Sequence, residues 1–121
     1  MNAVSLFDLE AMAKQVMPHD LWDFVDAGAG DEVTLRKNRS AFEDITINPK
    51  FLVDVNDRDL STTVIGEKIS FPVMIAPAGG QRQVHPEGEL ATAQAAGAAG
   101  TLYALPTGSG YGLREVAEVA T

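Results

Sequence analysis

The stretch from Phe71 to Pro106, FPVMIAPAGGQRQVHPEGELATAQAAGAAGTLYALP, constrains the fold most. It holds a strand, a helix and a second strand in about the 30 residues that a βαβ unit needs. Val73-Met74-Ile75-Ala76 is a short apolar run closed by Pro77 and Gly79-Gly80, the pattern of a strand buried on both faces. Pro86 suits the first position of the following helix, Glu87 and Glu89 place negative charge at the positive end of its dipole, and Gly100 suits the left-handed residue beyond its last turn. Leu90 to Ala99 is rich in alanine, so this helix can lie close to a sheet. Thr101-Leu102-Tyr103-Ala104-Leu105 then reads as the next strand, stopped by Pro106. A right-handed crossover between parallel strands is the expected result.

The segment before this unit is read as helical. Ser5 and Asp8 have capping-box spacing, and Leu9, Met12, Ala13 and Val16 form one apolar stripe ended by Pro18. A second helix is expected to bury Leu21, Trp22, Phe24 and Val25 and to stop at Gly28. A third is expected to start at Asp31-Glu32 and run to Phe42. From Ile45 the apolar period changes to two, and Thr62 to Ser70 reads as a hairpin turning at Gly66-Glu67. This gives three stretches: helices over 1–44, an extended segment and hairpin over 45–70, and strands alternating with helices over 71–121.

The last of these breaks off after Leu113 to Ala120, the opening of another helix. Two parallel strands leave sheet edges unpaired, so the expectation is the opening part of a longer α/β repeat. An open doubly wound sheet and a (β/α)8 barrel of about 250 residues both satisfy the pattern.

Composition excludes several classes of partner. A formal net charge of −8 disfavours nucleic acid and anionic membranes, which bind clustered Lys and Arg. The chain has no cysteine, hence no disulfide and no thiolate, which accords with a cytoplasmic location. No basic, apolar leader opens it, and no apolar run reaches membrane-spanning length.

Few local motifs carry chemistry by themselves. Gly108, Gly110 and Gly112 are spaced G-x-G-x-G rather than as a dinucleotide fingerprint, so they read first as a βα loop. Pro77-Ala78-Gly79-Gly80 is either a turn or a surface where backbone amides approach a planar cofactor. His85 reads as fixing the loop before the helix, and His19 as a solvated residue. Asp54, Asp57 and Asp59 lack the glycine and closing glutamate of a calcium loop. Trp22 and Phe24 read as core residues.

Four blocks together are more specific: SLFDLEAMAKQVMP, DFVDAGAGDEVTLRKNRSAFEDI, DLSTTVIGEKISFPVMIAPAG and Q-x-x-x-HPEGELATAQAAGAAGT. Over roughly Ser5 to Ala120 they resemble the start of the FMN-dependent 2-hydroxy-acid oxidase and dehydrogenase family. The resemblance implies the N-terminal part of a (β/α)8 barrel preceded by lid helices and a hairpin. In it a hydride passes from a small 2-hydroxy-acid substrate to FMN. It also implies that Pro77, Ala78 and Gly79 lie against the isoalloxazine through their backbone, and that the catalytic base, its arginine partners and the phosphate loops fall beyond this chain. A glycine at position 79 resembles the monooxygenase-like variants.

Three residues depart from that family's pattern. Phe24 stands where a lid tyrosine would donate to the substrate carboxylate, Pro106 where a serine or threonine hydroxyl would touch the flavin, and Ala78 where threonine is common. The expectation is an N-terminal fragment that is inactive alone and prone to self-association. A split enzyme completed by a second chain, and an interaction module from a decayed copy, are the alternatives.

Overall fold

The computed structural model describes residues 3–120, and the chain divides at Asp54 and Val55 into two compact units. The first unit is helical: α1 (Leu6–Lys14), α2 (His19–Asp26) and α3 (Val33–Ser40). The expected cap of α1 forms, with the Asp8 carboxylate accepting from the N–H groups of Val4 and Ser5, both at 2.8 Å. Those two donors hold the Asp8 carboxyl below its ordinary pKa.

Elsewhere in this unit the helices differ from their sequence pattern. No residue of the three is buried. Val16 lies past the end of α1 and is exposed, so the stripe reduces to half-buried Met12 and Ala13. On α2, Leu21 and Trp22 are half-buried, but Phe24 is 80% and Val25 58% exposed, so Phe24 is not a core residue. Gly28 does not cap α2, whose last turn closes on Ala27 in extended conformation. The third helix starts late because Glu32 is left-handed, at φ +56°, while its carboxylate accepts from the Gly28 N–H at 3.1 Å. The three short helices leave an open cavity of about 600 Å³ lined by Ala13, Met17, Trp22, Val25 and Leu35. Arginine 39 stacks over the Phe7 ring, 4.1 Å from its centre.

The second unit opens with an antiparallel hairpin, β1 (Thr62–Val64) and β2 (Glu67–Ile69), in register Thr62↔Ile69, Thr63↔Lys68 and Val64↔Glu67. Its turn is Ile65-Gly66 rather than Gly66-Glu67, with φ of +52° and +88°. Two consecutive positive φ values match the right-handed twist of the flanking strands, although β-branched Ile65 is strained there. The period-two residues Ile45 and Ile47, back in the first unit, lie in exposed irregular chain rather than a strand.

After the hairpin come a four-residue α4 (Gln81–Val84), then α5 (Gly88–Ala98) and α6 (Leu113–Val119). The parallel crossover exists, but in reduced form. Ile75 bridges Tyr103 in parallel, through Ile75 N–H to Leu102 O and Ala104 N–H to Ile75 O, each at 3.0 Å. No longer ladder forms over 73–76 or 101–105, and Val73 and Met74 are 59% and 41% exposed, not buried on both faces. Each segment has a single strand neighbour among the described residues, so the apolar outer side has no layer to pack on. The Ser70 N–H donates to Gly100 O at 2.8 Å, tying the hairpin to the end of α5.

The helix after the first strand also starts differently. Pro86 stays outside it, Glu87 is the cap and Gly88 the first helical residue. Glu89 points inward and is fully buried, because α4 packs over the start of α5 so closely that a Cβ at Gly88 would stand 2.9 Å from the Arg82 nitrogen. Glu89, Ala93 and Ala96 form the inner stripe of α5, and Val116 of α6 joins them in the core.

Candidate functional site

The strand end at Pro77-Ala78-Gly79 is an exposed, irregular segment directly after the parallel bridge. In α/β sheets ligands bind outside the carboxyl ends of strands. Among the described residues the N–H groups of Ala78 and Gly79 donate to nothing, while the next one, Gly80 N–H, donates to Gly108 O at 3.3 Å. Gly79 is not required by its backbone: a Cβ there would meet Gly108 O at 3.4 Å, an ordinary contact. Unused donors and a missing side chain together leave a surface open to a flat polar ligand.

The glycine loop after the second strand is built up rather than loose. Ser109 Oγ donates to Tyr111 O at 2.8 Å and accepts from Tyr111 N–H at 3.2 Å, which fixes the turn. The Tyr111 hydroxyl reaches Pro86 O at 2.7 Å. Arg82 spans the gap, stacking 4.6 Å from the Tyr111 ring centre and donating to Gly110 O at 3.1 Å. The two loops at the carboxyl ends of the strands are thereby locked to each other.

Other residues singled out in the sequence are placed as follows. Pro106 is buried at the end of the second strand, its carbonyl accepting from Ser109 N–H at 3.2 Å. Phe24 belongs to the first unit and presents its ring to solvent. His85 fixes its loop, its Nδ1 accepting from Glu87 N–H at 3.3 Å. His19 is exposed at the start of α2 and lies 3.0 Å from Asp23. Asp59 accepts from Ser61 N–H at 2.8 Å, and that residue's hydroxyl and N–H hold its carboxyl below the ordinary value. Among the described residues no three His, Cys, Asp or Glu side chains converge as metal ligands, and no helix is long and apolar enough to cross a membrane.

Two residues beside the strand end were given no role by the sequence, although Gln81 opens the Q-x-x-x-HPEGE block. Gln81 follows Gly79-Gly80 in a helix too short to show periodicity, and Tyr103 was read only as strand. Burial raises the pKa of the Tyr103 hydroxyl, and the negative charge of Glu89 adds to the effect.

The FMN-dependent dehydrogenase family model matches residues 13–121. This chain belongs to that family. Its relatives in the FMN-dependent dehydrogenase family include glycolate oxidase of Spinacia oleracea, 45% identical over 97% of this chain and 32% of that protein. The L-lactate oxidase of a Nostoc species is 46% identical over 99% of this chain and 33% of its own length. Mandelate oxidase, solved with (S)-4-hydroxymandelic acid, superimposes with a TM-score of 0.90 at 41% identity, covering 97% of this chain and 33% of that one. The chain thus spans about a third of the length of the relatives it matches, and FMN is the cofactor of its family.

Proposed function

We propose that this chain is the part of an FMN-dependent, 2-hydroxy-acid-oxidising enzyme that carries the first two strands of a (β/α)8 barrel, with lid helices in the preceding unit. The observation that carries the reading is the exposed Pro77-Ala78-Gly79 strand end with unused N–H donors at Ala78 and Gly79. Those residues fit a planar cofactor with acceptor atoms along its edge. FMN, when bound, supplies the hydride acceptor. The chain's own contribution is to hold that peptide surface rigid, through Gly80 to Gly108 and Arg82 to Gly110, and to shield one side of the site from water.

Glycolate, lactate and mandelate, which appear in the relatives' names, are all 2-hydroxy carboxylates, and a substrate of that class follows. Phe24 cannot donate to its carboxylate, and buried Pro106 has neither hydroxyl nor N–H to offer the flavin. Alone, the chain is inactive in this reading, since it spans only about a third of the length of the relatives it matches. The absence of cysteine accords with a cytoplasmic enzyme. The exposure of Val73 and Met74 favours completion by further polypeptide, whether continuous or a second chain.

The test is to join this chain to the remaining two-thirds of spinach glycolate oxidase. A folded fusion should bind FMN at about one per chain and bleach the flavin anaerobically when a 2-hydroxy acid is added, while the chain alone stays colourless. A monodisperse, folded fusion that holds no FMN would refute the proposal.

A further inference from the structure

Gln81 occupies a junction that the flavin-site reading does not by itself explain. Its Nε2 donates to Ala78 O at 3.0 Å and to the Tyr103 hydroxyl at 3.1 Å, and its Oε1 accepts from Thr92 Oγ1 at 2.6 Å. The amide therefore gathers the strand-end segment, α4, α5 and the second strand at one point. Both of its N–H donors are used, and its carbonyl is used as well. Its orientation is fixed by chemistry: Ala78 O can only accept, so the amino edge must face it and the carbonyl edge must face Thr92.

The bond to Ala78 O matters because a peptide unit is planar. The Ala78 carbonyl and the Gly79 N–H belong to the same unit and point in opposite directions. Holding the carbonyl toward Gln81 aims the Gly79 N–H, which has no partner among the described residues, away from α4 and outward. Gly80 N–H, bonded to Gly108 O at 3.3 Å, pins the following unit. A segment containing two successive glycines would otherwise sample many orientations at this point.

Resting on the flavin-site reading above, we infer that Gln81 is a positioning residue whose side-chain amide locks the Ala78–Gly79 peptide so that the Gly79 N–H is presented to an acceptor on the flavin edge. Thr92 anchors the carbonyl edge of that amide by donating to its Oε1. Tyr103 takes the second N–H, and burial keeps its hydroxyl protonated in the ordinary pH range, so the junction is neutral.

The test compares Gln81→Glu with Tyr103→Phe. Gln81→Glu keeps the shape and the acceptor for Thr92 but removes both donors, whereas Tyr103→Phe leaves the bond to Ala78 in place. In the 121-residue chain without flavin, the backbone 15N order parameter at Gly79 should fall from the rigid range, about 0.85, to below about 0.6 in Gln81→Glu and stay high in Tyr103→Phe. In the FMN-binding protein, Gln81→Glu should weaken FMN about tenfold and shift the visible flavin band, with Tyr103→Phe within about twofold of the unsubstituted protein. If Gln81→Glu fails to fold, Thr92→Val, which removes the donor anchoring the carbonyl edge of the amide, should give the same loss of order at Gly79 in smaller degree. Unchanged order at Gly79 in both variants, or equal effects from Gln81→Glu and Tyr103→Phe, would overturn the lock. Loss of order with FMN affinity unmoved would instead refute the placement of FMN at this strand end, so the two failures are distinguishable.

Discussion

Replacing Gly100 with alanine tests how the second unit is held together. Gly100 has φ +67°, and a Cβ built there would collide with Ser70 Oγ and stand 3.1 Å from Ser70 Cβ. An L-residue in the left-handed region costs roughly 1–2 kcal/mol. Ser70 cannot retreat freely, because its N–H donates to Gly100 O at 2.8 Å. Rotating its hydroxyl away relieves only the first contact, and stretching the hydrogen bond adds about 1 kcal/mol. The sum is about 2–3 kcal/mol, which lowers the urea midpoint by roughly 1–1.5 M for a slope of about 2 kcal/mol/M. Gly66→Ala is the control: φ is +88°, but nothing lies within 4 Å of its added Cβ, so only the conformational cost of about 1–2 kcal/mol applies. Adding Ser70→Ala should recover part of the Gly100→Ala loss and none of the Gly66→Ala loss. Urea unfolding followed by circular dichroism measures all four. Equal midpoints for Gly100→Ala and Gly66→Ala would refute the argument from contact.

Four further outcomes are expected. Ile65→Asn should raise the urea midpoint, by about 1 kcal/mol of stability, because asparagine tolerates the left-handed turn position that strains isoleucine. Glu89→Met should stabilise the chain by about 1–3 kcal/mol, since neither carboxylate oxygen of this fully buried residue has a hydrogen-bond partner among the described residues; a loss of stability in the same unfolding assay would show that the carboxylate is satisfied. The depressed pKa of Asp8 means that its support for α1 is present above the unfolded carboxylate pKa and is lost as pH falls below about 4. Asp8→Asn should flatten that acid limb in a helical circular dichroism titration. Phe24→Tyr in a full-length flavoprotein should tighten a 2-hydroxy acid by about tenfold by restoring a donor, measured as KM against kcat, and an unchanged affinity would remove Phe24 from the substrate site.

Several elements were legible because their causes are local. The cap at Ser5 and Asp8, the left-handed residue at Gly100 and the loop-fixing His85 each depend on neighbours within a few residues, and each forms as read. The strand end at Pro77-Ala78-Gly79 was visible as an apolar run stopped by proline and glycine. What failed depended on packing between distant segments. Phe24 was assigned inward from helical spacing, yet three short helices supply too little surface to cover it. Glu89 stands in the first turn of α5, as its place near the positive end of the dipole led one to expect, but its burial was not foreseen, because α4, invisible to periodicity at four residues, closes over it.

The sequence by itself determined the order of helix, hairpin, strand, helix and strand, and the family to which these residues belong, since periodicity, caps and motif spacing are written in consecutive residues. Only the tertiary structure decided that the parallel strands meet at a single bridge, that Pro106 is buried while Gly79 is open, and that Gln81 joins Ala78, Thr92 and Tyr103. The bridge and the bonds of Gln81 to Thr92 and Tyr103 depend on atoms brought within about 3 Å of each other across gaps in the chain, the two exposures depend on which segments pack over them, and no local pattern encodes either.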